Sequence, residues 1–143
     1  QLIGGIVPRP DAKEAIAIHK AMHGAITAST VRSCHDVSEG GLAVTIAEMA
    51  FAGGIGADIH GLNTLGNIPF AAMLFAEPPT CYVVEIEPQK VEQFQAIFKG
   101  LPVHKIGTAC VEKRLRFVGP TGEWALWTWL EDLRKAWLST LKF

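Results

Sequence analysis

The stretch VRSCHDVSEGGLAVTIAEMAFA, residues 31–52, constrains the fold of this chain more than any other. It opens as a short apolar run over 31–37, interrupted by Cys34, His35 and Asp36, and turns through Ser38, Glu39, Gly40 and Gly41. It continues as a helix with Leu42, Ile46, Met49 and Ala50 on one apolar stripe. Strand, glycine turn and helix together aim free backbone N–H groups and the positive end of a helix dipole at an anion. Paired glycines allow close approach, because no Cβ stands in the way. Ser38 is placed to cap the helix, with a hydroxyl that serves either the helix or a bound phosphate. The residues leave two readings open, a phosphate cradle or a glycine turn that only makes the corner.

At 143 residues the chain suits one domain with a real core. Hydrophobic residues make up 49% of it, which argues against disorder. A formal net charge of -1 and the absence of a Lys/Arg cluster argue against nucleic acid as a partner. No run is apolar and long enough to span a bilayer. The start, Gln-Leu-Ile-Gly-Gly, lacks the basic and apolar regions of a signal peptide, and lacks an initiator Met, as expected of a piece of something longer. Cys34, Cys81 and Cys110 read as buried reduced thiols of a cytosolic protein rather than as disulfides or a metal site.

Residues 1–10 read as a linker remnant and 11–143 as a single domain. Asp11 caps a helix to about residue 30, with Ala15, Ile18, Met22 and Ile26 inward. His19 and His23 sit four apart on it, but no third ligand with suitable spacing follows, so they read as surface histidines and no metal site is expected. Strands are expected over 31–37, 56–60, 81–86, 103–111 and 114–118, with His104 and Lys105 on the polar side of the fourth. Gly53-Gly54 ends the second helix, 61–69 is a loop and 70–75 a compact apolar segment. A helix over 89–99 turns Val91, Phe94 and Phe98 inward. After a turn at Gly119-Pro120-Thr121-Gly122, the tail 126–141 reads as a helix with Leu130, Leu133, Trp137 and Leu141 at helical spacing. The alternation predicts an α/β (α+β) sandwich, a mixed sheet of about four to six strands with helices packed on it.

The residues add a resemblance. CHDVSEGGLAVTIAEMAFAGGIGADI resembles the signature of the C-terminal domain shared by the aminoimidazole ribonucleotide synthetase superfamily. Within it, the chain most resembles the synthetase subunit of the formylglycinamide ribonucleotide amidotransferases, or phosphoribosylformylglycinamidine synthases. LFAEPPTCYVVEIEP is similar to that family's Leu-Phe-Ser-Glu-Ser strand entry, and HKIGTACVEKRLRF to its Ile-Gly-x-Val turn. GGIVPRPDAKEAIAIHKAMHGAI fits its lead-in helix, and the closing helix with Leu133 and Trp137 fits its tail.

The resemblance implies a ligase of de novo purine synthesis that converts formylglycinamide ribonucleotide, ATP and glutamine-derived ammonia to the amidine, ADP and phosphate. ATP and Mg2+ would serve the full-length enzyme, whose upstream domains carry the ATP glycines, the metal carboxylates and the catalytic histidine. This chain would need neither and would hold no catalytic residue of its own. A glutaminase subunit and a small accessory subunit would be the partners, beside the upstream domains. Ser38, Gly40 and Gly41 match family positions that hold a phosphate, with His35 and Asp36 as the motif's opening pair. Asp36 would orient the loop through backbone N–H groups, and His35 would either touch substrate or sit satisfied in the core. Glu39 would point outward or meet a sugar hydroxyl or metal, and Glu77 would face the cleft. Ala76 and Pro78 replace the family's flanking serines there. Two alternatives stand beside this: another member of the superfamily, such as an aminoimidazole ribonucleotide synthetase, a selenophosphate synthetase, a thiamine-monophosphate kinase or a hydrogenase maturation protein, or a purely structural half of a pseudo-symmetric subunit.

Overall fold

The computed structural model describes residues 9–119 and 121–139. The expected linker 1–10 therefore falls largely outside the described residues, as do Pro120 of the turn and Leu141 of the tail. Helix α1, Ala12–Thr27, begins where Asp11 Oδ1 accepts the N–H groups of Lys13 (2.8 Å) and Glu14 (3.0 Å). It stops three residues short of the expected end. Thr30, fully buried, folds back so that its N–H and hydroxyl both donate to the carbonyl of Ala25. Met22 and Ala25 are its buried residues and Ile26 is exposed, so the inward stripe is rotated from the expected one toward the small side chain of Ala25.

Two sheets follow. Strands β1 (Ser33–Asp36) and β3 (Tyr82–Glu85) form an antiparallel ribbon. Strands β2 (Gly56–Ile59), β4 (Gly107–Cys110), β5 (Arg114–Val118) and β6 (Trp124–Trp129) form a mixed sheet in the order β4-β2-β5-β6, in which only β2 and β5 run parallel. Helix α2 (Gly41–Gly53), the short helix α3 (Phe70–Phe75) and α5 (Leu130–Ser139) bury the main core between them and β2 and β5. Leu62, Leu74 and Leu115 are its most deeply buried large side chains. A second, smaller core joins α1 to α4 (Val91–Ile97) through Met22, Ala25, Phe94 and Phe98.

Four expectations are corrected. Val91 is exposed, because a 3-10 turn over Pro88–Lys90 starts the fourth helix late and rotates its face. Residues 103–106 are not strand; β4 is only as long as its four-residue partner β2. The tail is not helical from Leu126: tryptophans at 124, 127 and 129 form β6, and the helix begins at Leu130, whose N–H donates to Lys113 O (3.0 Å). The cysteines are free, as expected, but not buried: Cys34 is exposed and Cys81 and Cys110 are half-buried. Although the residue is exposed, partial desolvation of the Cys34 thiol itself, and then the Asp36 carboxylate, push it up from its ordinary value.

The outward face of the four-stranded sheet carries a charge cluster that patterning did not single out. Asp58 on β2 accepts from Arg114 (2.5 Å) and, at both oxygens, from Arg116 (2.7 and 2.8 Å). Arg114 also pairs with Glu112, and Arg116 lies 3.8 Å over the Trp124 ring. Hydrogen bonds from Arg116 and then Arg114 hold the Asp58 carboxyl down at about 2. The alternation of Arg114 and Arg116 along the sequence of β5 was the available signal, and the parallel register sets Arg116 opposite Asp58.

Candidate functional site: the glycine corner between β1 and α2

The first strand ends at Asp36, and Val37 N–H still reaches Cys81 O (2.9 Å). The chain then reverses through two left-handed residues, Gly40 (φ +81°) and Gly41 (φ +69°), with Gly41 N–H donating to Ser38 O (3.1 Å). Only glycine holds two such residues in succession without steric cost. The cap of α2 is therefore Gly40 rather than Ser38, because the left-handed pair moves the helix start two residues past the serine. Ser38 and Glu39 are exposed.

Thr45, which patterning passed over, ties the corner together. It is buried, and its hydroxyl lies 3.1 Å from Gly41 O and 3.3 Å from Asp36 O, spanning helix and strand end. A threonine four residues into a helix is suited to this backward bond. Asp36 does not orient the loop as expected. Its carboxylate is 65% exposed and lies 3.5 Å from His35 Nδ1, and it is the Asp36 carbonyl that meets His35 (2.7 Å) and Thr45. His35 is not a core histidine either; it is half-buried, with Nε2 3.3 Å from Glu48 Oε2 on α2. It belongs to the flank of the helix, beside a shallow cleft of about 500 Å³ that also touches Ser33, Cys34 and Glu85.

An anion already meets the corner. Glu77 Oε1 accepts the Gly40 N–H at 2.8 Å across a separation of 37 residues. Gly41 is also packed hard: a Cβ there would lie 2.7 Å from Ala76 O and from the Phe75 carbonyl carbon. The corner thus brings Ser38, Gly40, Gly41 and Glu77 together and sends His35 toward Glu48. His19 is engaged elsewhere, with Nδ1 2.6 Å from the Tyr82 hydroxyl. Among the described residues no group of three His, Cys, Asp or Glu is arranged to hold a metal ion. No described helix is long and apolar enough to cross a membrane.

The model of the family described as AIR synthase related protein, C-terminal domain, matches residues 6–119, a span that includes the whole corner. The chain belongs to this family. A phosphoribosylformylglycinamidine synthase subunit PurL of Deinococcus radiodurans is 31% identical over 99% of this chain and 19% of its own length. Its namesake from Thermococcus kodakarensis is 34% identical over 94% of this chain and 17% of its own length. The chain thus spans about a fifth of the length of these curated relatives. Among solved structures, Thermotoga maritima PurL complexed with FGAR superposes with a TM-score of 0.77 at 16% identity, covering 89% of this chain and 22% of that one. T. maritima PurL complexed with ATP gives 0.72 at 19%, covering 82% and 21%. Escherichia coli HypE, a hydrogenase maturation protein, gives 0.60 at 20%, covering 75% and 38%. These likenesses confirm the family's fold, a mixed sheet with packed helices.

Proposed function

We propose that residues 11–143 form the closing domain of a phosphoribosylformylglycinamidine synthase subunit and contribute a phosphate-binding loop to it. The observation that carries this reading is the similarity to curated proteins of that one name at 31–34% identity along 94–99% of the chain. In the whole subunit, formylglycinamide ribonucleotide, ATP and ammonia give the amidine, ADP and phosphate. The nucleotide and Mg2+ are held by upstream domains, and the ammonia comes from a glutaminase partner assembled with a small accessory subunit. This chain supplies no catalytic group of its own. Its role is to receive the phosphate of the ribonucleotide at the start of α2, through the Gly40 N–H, the first-turn amides and the Ser38 hydroxyl. Asp36 and His35 brace the strand end. The carboxylate of Glu77, now on the Gly40 N–H, gives way to the phosphate.

A second reading has an observation in its favour. Gly40 already has an anionic partner and Gly41 is filled by packing, as in a corner whose only role is structural. Calorimetric titration of the chain with formylglycinamide ribonucleotide separates the two. A valine at Gly41 would test packing rather than binding, so Ser38→Ala and Glu77→Gln are the informative variants. In the phosphate reading the wild type binds, Ser38→Ala weakens binding and Glu77→Gln strengthens it by removing the competing charge. Absence of binding in all three supports the structural corner.

A further inference from the structure

The sheet ends at β6, and among the described residues no strand pairs with its outer side. An edge strand normally carries a charge, a proline or a bulge that discourages pairing. Strand β6 reads WALWTW: it has no charged residue and no proline, and its one bulge, at Ala125, leaves Leu126 to Trp129 in regular register with β5. Trp124, Trp127 and Trp129 remain 59%, 48% and 50% exposed. Trp127 and Trp129 stand edge-to-face on the same side of the strand, their centroids 4.5 Å apart. The charged groups on that side, Arg114 and Arg116, are already neutralised by Asp58 and Glu112.

We infer that β6 is a self-association edge, and that its partner is the β6 strand of a second copy of this chain. The backbone selects a strand as occupant. Leu130 N–H donates to Lys113 O, so in the register Arg114↔Trp129 the even-numbered residues turn their N–H and C=O toward β5. Trp127 and Trp129 therefore turn theirs to the open edge, where only another extended chain satisfies them in a row. A two-fold axis through Trp127, perpendicular to the sheet, pairs Trp127 with its copy and brings Trp129 toward Ala125, the small residue at the bulge that the β5 ladder skips. Area fits as well. Three half-exposed tryptophans leave roughly 300 Å² per copy to bury. Doubled, and with the backbone strip added, this approaches the roughly 1,000 Å² at which specific interfaces begin. The product is one continuous eight-stranded sheet, held at micromolar strength.

Sedimentation of the chain from about 1 to 100 μM tests this, spanning the affinity expected of so small an interface. The expected result is a shift from 15.5 kDa toward twice that mass. Trp127→Pro deletes an outward N–H while leaving the β5 ladder intact, and Trp129→Lys places a charge on the edge. Each should weaken association at least about tenfold, a loss of roughly 1.4 kcal/mol, with far-UV dichroism unchanged. Should the proline variant misfold, the lysine variant decides alone. A wild type that stays monomeric overturns the proposal and leaves the edge to a different polypeptide. Assembly that runs past the dimer, or that Trp129→Lys leaves untouched, overturns it equally.

Discussion

Two Gly-Gly pairs bracket α2, and they are glycine for different reasons. At the N-terminal pair the backbone is left-handed at both residues and the space is taken: a Cβ on Gly40 would lie 2.5 Å from Val44 Cγ2, and one on Gly41 would strike the Phe75–Ala76 backbone. At the C-terminal pair nothing lies within 4 Å of either position, and only Gly54 is left-handed (φ +64°), where its N–H closes on Ala50 O. One pair is demanded by packing and conformation together, the other by conformation at a single residue. Identical dipeptides are therefore not equivalent evidence for a site. What separates them is what stands opposite.

Substitutions should rank accordingly. Gly41→Val forces a branched side chain into backbone at a left-handed residue, and should cost about 3 kcal/mol or more, read as a large drop in the urea midpoint. Gly40→Ala meets the branched Val44 side chain, including its Cβ at 2.9 Å, rather than backbone, and should cost about 1–3 kcal/mol. Gly54→Ala incurs only the left-handed penalty of about 1–2 kcal/mol. Gly53→Ala, in open space at ordinary helical geometry, should be neutral or stabilising by up to about 1 kcal/mol. A Gly54 variant as damaging as the Gly41 one would break the comparison. Acid offers a control remote from both pairs. Asp58 ionises at about 2 in the folded sheet against an ordinary 3.8, so its contribution is full above the ordinary value and is lost as pH falls toward 2. Thermal melts from pH 5 to 2 should show that loss, and Asp58→Asn should remove this part of the pH dependence while lowering stability at neutral pH.

The strength of local signals decided how much was legible beforehand. The Asp11 cap of α1, the strand over 114–118 and the glycine cap that ends α2 are short-range devices, and each stands where the pattern put it. The errors lie where distant parts set the outcome. β4 ends where β2 ends, α1 turns toward Ala25 because α4 is there, and β6 is a strand because β5 offers it an edge. At the site, the glycine turn and the family motif were readable. The Glu77 carboxylate on Gly40 and the Thr45 clasp were not, since neither partner is marked by spacing.

The β1–β3 ribbon has a consequence for how the molecule opens. Val37 and Val83 pack against the main core, whereas Val31, Tyr82, Val84 and Ile86 pack against the smaller one. The ribbon is a party wall between two cooperative units, and all four residues of β3 are half-buried for that reason. Amide hydrogen exchange should therefore divide the chain unequally: α1 and α4 able to open with the smaller core alone, and β3 opening only when both cores are lost.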